Sequence, residues 1–311
     1  NDIKPQNTFT AGNTNLTTQP GIQSIVNQIM SANITQTLRR LEVFGQRYVM
    51  ASPSPDSLVR SRDWIISQFQ SYGYTNVAQH QFTYSSRNLQ NIIVTKPGLA
   101  FPDTSVLLIG HYDSVNGPGV NDNGTGVALI LEAARVLFQK SFKYTIKFIC
   151  FSAEEQGLQG SFAYVQNVVI PQQQKVKLVI NVDEIGGIVT NPTSIVKVEK
   201  DIDINPSTNN AASALYTDTL VTLTTLYSSL QTTVTDAYGS DYMSYEDAGY
   251  VITGFYEYNQ TPHYHTIRDS LVYVDTNYVT QITKAATAGV AYFAQLIPAG
   301  YVFDPDPLTT A

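Results

Sequence analysis

Histidines number only 4 and charged residues make up 14% of this 311-residue chain. Yet the stretch LLIGHYDSVNGPGVNDNGTGVALILEAARVL, residues 107–137, spends His111, Asp113 and Asp122 where one apolar run ends and a longer one begins. Two later apolar runs end in a similar way: YTIKFICFSAEE closes on Glu154 and Glu155, and VKLVINVDEIGG carries Asp183. Further on, TPHYHTIRD adds His263, His265 and Asp269. Imidazole together with carboxylates suits zinc, and a zinc site that keeps open positions is catalytic. Solvated loop acids would account for any one of these residues but not for the set. Several carboxylates beside buried strand ends repel one another unless a cation compensates. A serine hydrolase is disfavoured because no Gly-x-Ser-x-Gly follows a strand.

The elements that position these residues are legible as patterns. Residues 105–111, 144–155 and 176–187 are nearly continuous apolar runs, which suits strands buried on both faces of a sheet. Ligand sites of open α/β sheets lie outside the carboxyl ends of the strands, so His111, Glu154, Glu155 and Asp183 converge if the three strands are neighbours. Val127, Ile130, Leu131, Ala134, Leu137 and Phe138 follow helical spacing. Other helices are expected over Ser31–Tyr48, within residues 54–74 with Leu58, Ile65, Phe69 and Tyr72 on one face and Gly73 as the stop, and over 214–230 and 278–297. NVAQHQFTYSS and NLQNIIVTKPG alternate as two strands joined by a short turn. The fold class expected is a single α/β domain with a mixed, mostly parallel central sheet flanked by helices. Residues 1–20 read as a loose leader and 21–311 as the domain.

Composition narrows the partners. A net charge of −7 with 18 Lys and Arg, and no basic run, leaves no nucleic-acid footprint. No run approaches the roughly 20 apolar residues that a membrane span needs. Low charge content, and a first residue (Asn1) that is not Met, fit a secreted or periplasmic chain whose signal peptide has been removed. Cys150 is the sole cysteine and, inside TIKFICFS, reads as a small core hydrophobe. Nothing in the composition bears on oligomeric state.

The fragments GHYDS, NDNGTGV, SAEEQGLQGS, NVDEIGG and HYHTIRD, in this order and at these separations, resemble the secreted double-zinc aminopeptidases. That peptidase family also includes glutamate carboxypeptidases and glutaminyl cyclase relatives, and the resemblance covers roughly residues 30 to 297. It implies a zinc-exopeptidase fold and the removal of N-terminal residues from peptide substrates, with two Zn²⁺ per chain. His111 and Asp183 would bind one zinc, Glu155 and His265 the other, and Asp122 would bridge them. Glu154 would be the general base toward a water shared by the metals. Asp113 would accept the ring N–H of His111, and the Asp122–Asn123 peptide bond would be cis.

The chain departs from the family's pattern in places. Glu184 follows the third-strand aspartate where Met or Leu is usual, and reads as a solvated acid. Tyr242 stands in GSDYMSYEDAG where a histidine is usual. His263 competes with His265, which the match to YHTxxD favours; His80 reads as structural. A selectivity pocket drawing on Tyr238, Tyr242, Tyr245, Phe255 and Tyr256 would favour Leu or Phe at the substrate's end. Other functions remain: a carboxypeptidase, whose usual inserted domains find no room here; a one-zinc, acyl-transferring glutaminyl cyclase; and a non-catalytic binding protein on the same fold.

Overall fold

The computed structural model describes residues 16–203, 206–298 and 300. The leader reading of residues 1–15, and the last eleven residues of the expected domain, lie outside the described residues. Three helices come first, α1 (Pro20–Val26), α2 (Ser31–Phe44) and α3 (Asp56–Ser71), followed by the hairpin β1 (Val77–Tyr84) and β2 (Arg87–Lys96). The centre of the chain alternates: β3 (Phe101–His111), α4 (Thr125–Leu137), β4 (Tyr144–Phe151), α5 (Gln159–Tyr164) and β5 (Lys175–Val182). Then come β6 (Ile195–Lys200), α6 (Asn210–Tyr227), β7 (Gln231–Asp236), α7 (Met243–Glu246), β8 (Ile252–Glu257) and α8 (Thr276–Phe293).

Among the described residues the strands form one sheet of eight, in the order β1-β2-β4-β3-β5-β8-β6-β7. β3 pairs in parallel with both β4 and β5, and β5 with β8; antiparallel pairs join β2 to β4 and β6 to β8. Period-two alternation explains the apolar runs. Val106 and Leu108 of β3 enter one core with Ile146, Phe148 and Cys150 of β4. Leu107 and Ile109 enter the other with Ile149 and Phe151. A strand with both faces covered has no polar face to show. The larger core packs α1–α4, α6 and α8 against the sheet, and the smaller takes Tyr164 of α5 and Tyr245 of α7.

The elements differ from sequence expectation mostly at their ends. α2 stops at Phe44 because Gly45 takes a positive φ of 73°, which releases residues 45–48 from the helix. β4 and β5 end at Phe151 and Val182, so Glu154, Glu155 and Asp183 sit in loops past the strand tips. The β1–β2 turn at Ser85 and Ser86, with φ of 45° and 64°, has the two positive values of a tight hairpin turn. β6, β7 and β8, each six residues, were not read from the sequence: β7 is QTTVTD, with little apolar signal, and β8 carries Gly254.

Candidate active site

Three parallel strand tips build the floor of the site. His111 is the last residue of β3 and pairs in register with Phe151, the last of β4. Glu154 and Glu155 follow β4 and Asp183 follows β5, so the order β4-β3-β5 sets the histidine between its acids. Two loops close the ring: Asp122 comes from the turn into α4 and His265 from the segment after β8. Nε2 of His111 lies 3.2 Å from Asp122 Oδ1, 3.4 Å from Asp183 Oδ1 and 3.7 Å from Glu154 Oε2. Nε2 of His265 lies 2.8 Å from Glu155 Oε2 and 3.0 Å from Asp122 Oδ2. Six of the seven expected site residues thus form two groups, His111–Glu154–Asp183 and Asp122–Glu155–His265, each with its donor atoms within 4.8 Å of one another.

Asp113, the seventh, works differently from expectation. Its carboxylate stands 3.6 Å from Nδ1 of His111, and the Asp113 carbonyl oxygen is nearer, at 3.3 Å. The carboxylate oxygens instead accept the backbone N–H groups of Glu154 at 3.2 Å and Glu155 at 3.3 Å. Asp113 therefore pins the loop that carries both glutamates while its carbonyl faces the imidazole. The Asp122–Asn123 peptide bond is cis. Gly126 permits a close approach: a Cβ there would lie 2.7 Å from the Val182 carbonyl oxygen and 2.3 Å from Asn123 Oδ1.

Electrostatics point to a cation. Burial raises the Glu154 carboxyl well above its ordinary range, and the charges of Asp183, Asp241 and Asp113 add to this against the pull of His111. Burial and then Asp122 push Glu155 up to about 8. Burial opposes charge on His111, but Glu154, Asp183, Asp113 and Asp122 outweigh it and hold its pKa well above the usual value. Among the described residues, Nε2 of His111 and Oδ1 of Asp183 are buried without a hydrogen-bond partner. Orphaned donors among crowded acids are what a bound metal relieves, and the mixed nitrogen and carboxylate set suits zinc.

Several residues that hold this geometry were not singled out from the sequence. Ser240 donates to Asp183 Oδ2 at 2.6 Å and itself accepts from Asn181 Nδ2 at 2.9 Å. Asp269, noted only as part of TPHYHTIRD, accepts the backbone N–H of Asn121 at 2.7 Å and of Asp122 at 3.0 Å. Arg47 is 0% exposed and donates to the carbonyl oxygens of Tyr112 (2.6 Å), Pro118 and Gly119 (2.9 Å). Burial pulls its pKa down to about 10, with Asp269, Asp113, Asp122 and Glu155 opposing. It is a fixed positive charge under the acids and a clamp on the loop after β3. Replacing Arg47 by Met strands three buried carbonyls and removes that charge. Urea unfolding of the metal-free protein is expected to show a loss of about 3–5 kcal/mol. A loss below about 1 kcal/mol would mean that water satisfies those carbonyls instead.

The tyrosine-rich pocket needs correction. Tyr242, Tyr245 and Phe255 are all 0% exposed; the Tyr242 hydroxyl donates to Glu199 and Tyr245 packs in the smaller core. None of the three faces a substrate, because burying a large ring in the core outweighs exposing it in a cleft. Glu184 is not solvated either. It is half-buried, and burial, then Asp122, Asp183 and Glu257, lift its carboxyl to about 9. Its Oε2 lies 3.5 Å from Gln260 Nε2, which also donates to the Tyr256 hydroxyl at 2.8 Å. His263 packs at a tilt against Tyr273 outside the metal groups, and His80 stacks on Phe82 with Asn91 Nδ2 at 3.1 Å from its Nδ1.

A parallel-centred α/β sheet with paired histidine–carboxylate groups at its strand tips defines an α/β protein built to hold metal. The chain belongs to peptidase family M28, whose model matches residues 91–290 and so takes in all seven expected site residues. It is 32% identical over 192 residues to a probable zinc metalloprotease of Pyrenophora teres f. teres, covering 53% of this chain and 41% of that protein. To aminopeptidase YwaD of Bacillus subtilis it is 31% identical over 218 residues, covering 67% of this chain and 45% of that protein. The LapA aminopeptidase of Legionella pneumophila superposes with a TM-score of 0.74 at 25% identity, covering 88% of this chain and 74% of that one. The chain thus spans less than half the length of these two curated relatives.

Proposed function

We propose that this chain is a zinc-dependent aminopeptidase working with two zinc ions. The observation that carries the reading is the placement of Asp122, whose two carboxylate oxygens face different histidines, Oδ1 toward His111 and Oδ2 toward His265. One bridging carboxylate between two donor sets suits a pair of cations. In this reading His111 and Asp183 hold one zinc, Glu155 and His265 the other, and Asp122 is shared. Bound zinc supplies Lewis acidity at the scissile carbonyl and lowers the pKa of the attacking water.

The chain's own residues do the rest. Glu154, held by its backbone N–H on Asp113, takes the proton of that water at its carboxylate and delivers it to the leaving amine. Asp113, Ser240 and Asp269 orient the groups around it. Amino-terminal polarity is supported by the activity named for YwaD and LapA.

A glutaminyl cyclase with one zinc has no use for a second complete donor set, and a binding protein has no use for Glu154. A panel of free and N-blocked peptides, assayed with and without a zinc chelator, tests the reading. Free N-termini are expected to be cleaved, blocked ones spared, and chelation to abolish both turnover and a metal content near two per chain. Cleavage of blocked peptides, or a content near one, would overturn it.

A further inference from the structure

Glu257 belongs to neither metal group, yet it is buried where the segments that carry the ligands meet. It is the last residue of β8 and is 0% exposed. Its Oε2 accepts the Gly187 N–H at 2.6 Å and Asn121 Nδ2 at 3.1 Å, and its Oε1 accepts the Thr261 N–H at 2.7 Å. Each donor sits on a different ligand segment. Asn121 directly precedes Asp122, Gly187 lies four positions after Asp183, and Thr261 lies four positions before His265. One carboxyl group therefore joins the segment of the shared ligand to a segment from each half of the site.

The three segments also lock onto one another. Asn121 Oδ1 accepts the Gly186 N–H at 2.6 Å, and a Cβ on Gly186 would lie 2.2 Å from that oxygen, so the seat requires glycine. Thr261 Oγ1 accepts the His263 N–H at 3.3 Å, and the His263 carbonyl oxygen accepts from Thr266 Oγ1 at 2.6 Å, which closes a turn around His265. His265 itself has a φ of 54°, in the left-handed region that residues other than glycine seldom enter. A conformation of that kind persists where its surroundings hold it. Downstream of it, Asp269 accepts the Asn121 and Asp122 N–H groups; upstream, Thr261 donates to Glu257. Burial lifts the Glu257 carboxyl to about 8, against the pull of the Thr261 and Gly187 N–H groups and of Asn121. Those donors occupy both oxygens, as burying an acidic side chain demands.

We propose that Glu257 is a positioning residue for the zinc pair, fixing the Asp122, Asp183 and His265 segments relative to one another before metal binds; the inference rests on the two-zinc reading above. Ligands already in place lose less freedom on binding, so a group that orients them adds to metal affinity. Glutamine at this position separates the three ties. It keeps the shape of Glu257 but offers one acceptor oxygen and one NH₂ donor. Two donors face the Oε2 position and one faces Oε1, so the amide oxygen stays with Gly187 and Asn121. The NH₂ group is then set against the Thr261 N–H, and only the His265 segment is released. Affinity at the Glu155–His265 half should therefore fall, and affinity at the His111–Asp183 half should not.

Zinc titration of the metal-free full chain, read by calorimetry against a competing chelator, tests the assignment. The wild type is expected to show two binding events. In Glu257→Gln the event that His265→Ala also displaces should weaken by about 10–100-fold, while the other keeps its wild-type affinity. A merely structural role would lower Tm and leave both events in place. Hydrogen exchange of the metal-free wild type gives a reading that does not depend on the variant folding. The Gly187 and Thr261 amides, whose acceptor is Glu257, should already exchange at least about 100-fold slower than unprotected amides. Both events unmoved in Glu257→Gln, both displaced alike, or amides protected only after zinc is added would each overturn the role of Glu257 and leave the two-zinc reading standing. A single event in the wild type would instead overturn that reading, and this inference with it.

Discussion

Glu154→Gln is expected to lower kcat/KM for a free aminoacyl peptide by about 10²–10⁴-fold, the usual worth of a positioned general base, while zinc per chain stays at the wild-type level. The geometry makes the second half of that expectation the informative one. Glu154 Oε2 lies 3.7 Å from His111 Nε2, and its donor atom falls in one group with those of His111 and Asp183. On distance alone it qualifies as a ligand as well as a base. Its neighbour Glu155 faces His265 at 2.8 Å instead, so adjacent glutamates serve opposite halves of the site. A glutamine keeps the shape and the backbone N–H that Asp113 holds, and loses only the ability to take a proton. Turnover lost with metal retained assigns the base. Turnover and one metal lost together would make Glu154 a ligand and leave the base elsewhere. Unchanged turnover would sink the mechanism.

Asp122→Ala is expected to weaken both metals at once, since the one side chain faces both histidines at 3.2 and 3.0 Å. Groups that merely orient a ligand are worth about 10–100-fold in metal affinity, so a shared ligand should cost at least about 100-fold at each position. Metal titrations monitored by calorimetry should show both binding events displaced, whereas His265→Ala should displace only one. If Asp122→Ala leaves one event at its wild-type affinity, the carboxylate is not shared. Folding is a smaller concern here than for Arg47, because the α4 turn keeps its other ties. Asp269 still receives the backbone N–H of residues 121 and 122, and Thr125 Oγ1 still donates to the Asn121 carbonyl oxygen.

The parts of the molecule that were legible in advance are those that repeat locally. A strand covered on both faces is apolar at every position, and a helix on the sheet is apolar every third or fourth, so β3, β4, β5, α3 and α4 announced themselves. β7 did not, because the edge strand QTTVTD carries one apolar residue, and β8 did not, because Thr253 and Gly254 interrupt the apolar run of an interior strand only six residues long. The site was legible for a related reason. Residues costly to bury, His111, Glu154, Glu155 and Asp183, stood at the ends of runs that had to be buried, and such a conflict in one sequence is itself a signal.

Read by itself, the chain determined its fold class, the strands that carry the site and the identities of the residues that gather there. Only the tertiary structure decided which of those residues face which. The order β4-β3-β5 set the partners of His111, and the Asp122 backbone bond to Asp269 spans 147 positions. The same holds for Arg47, which looks ordinary in FGQRY and becomes a buried clamp because α2 ends at Gly45 and turns it under the β3 loop. It holds again for Tyr242 and Phe255, which suggested a pocket and turned out to be core. Periodicity records how each residue stands to its own element. Packing between elements depends on distances that no local spacing encodes.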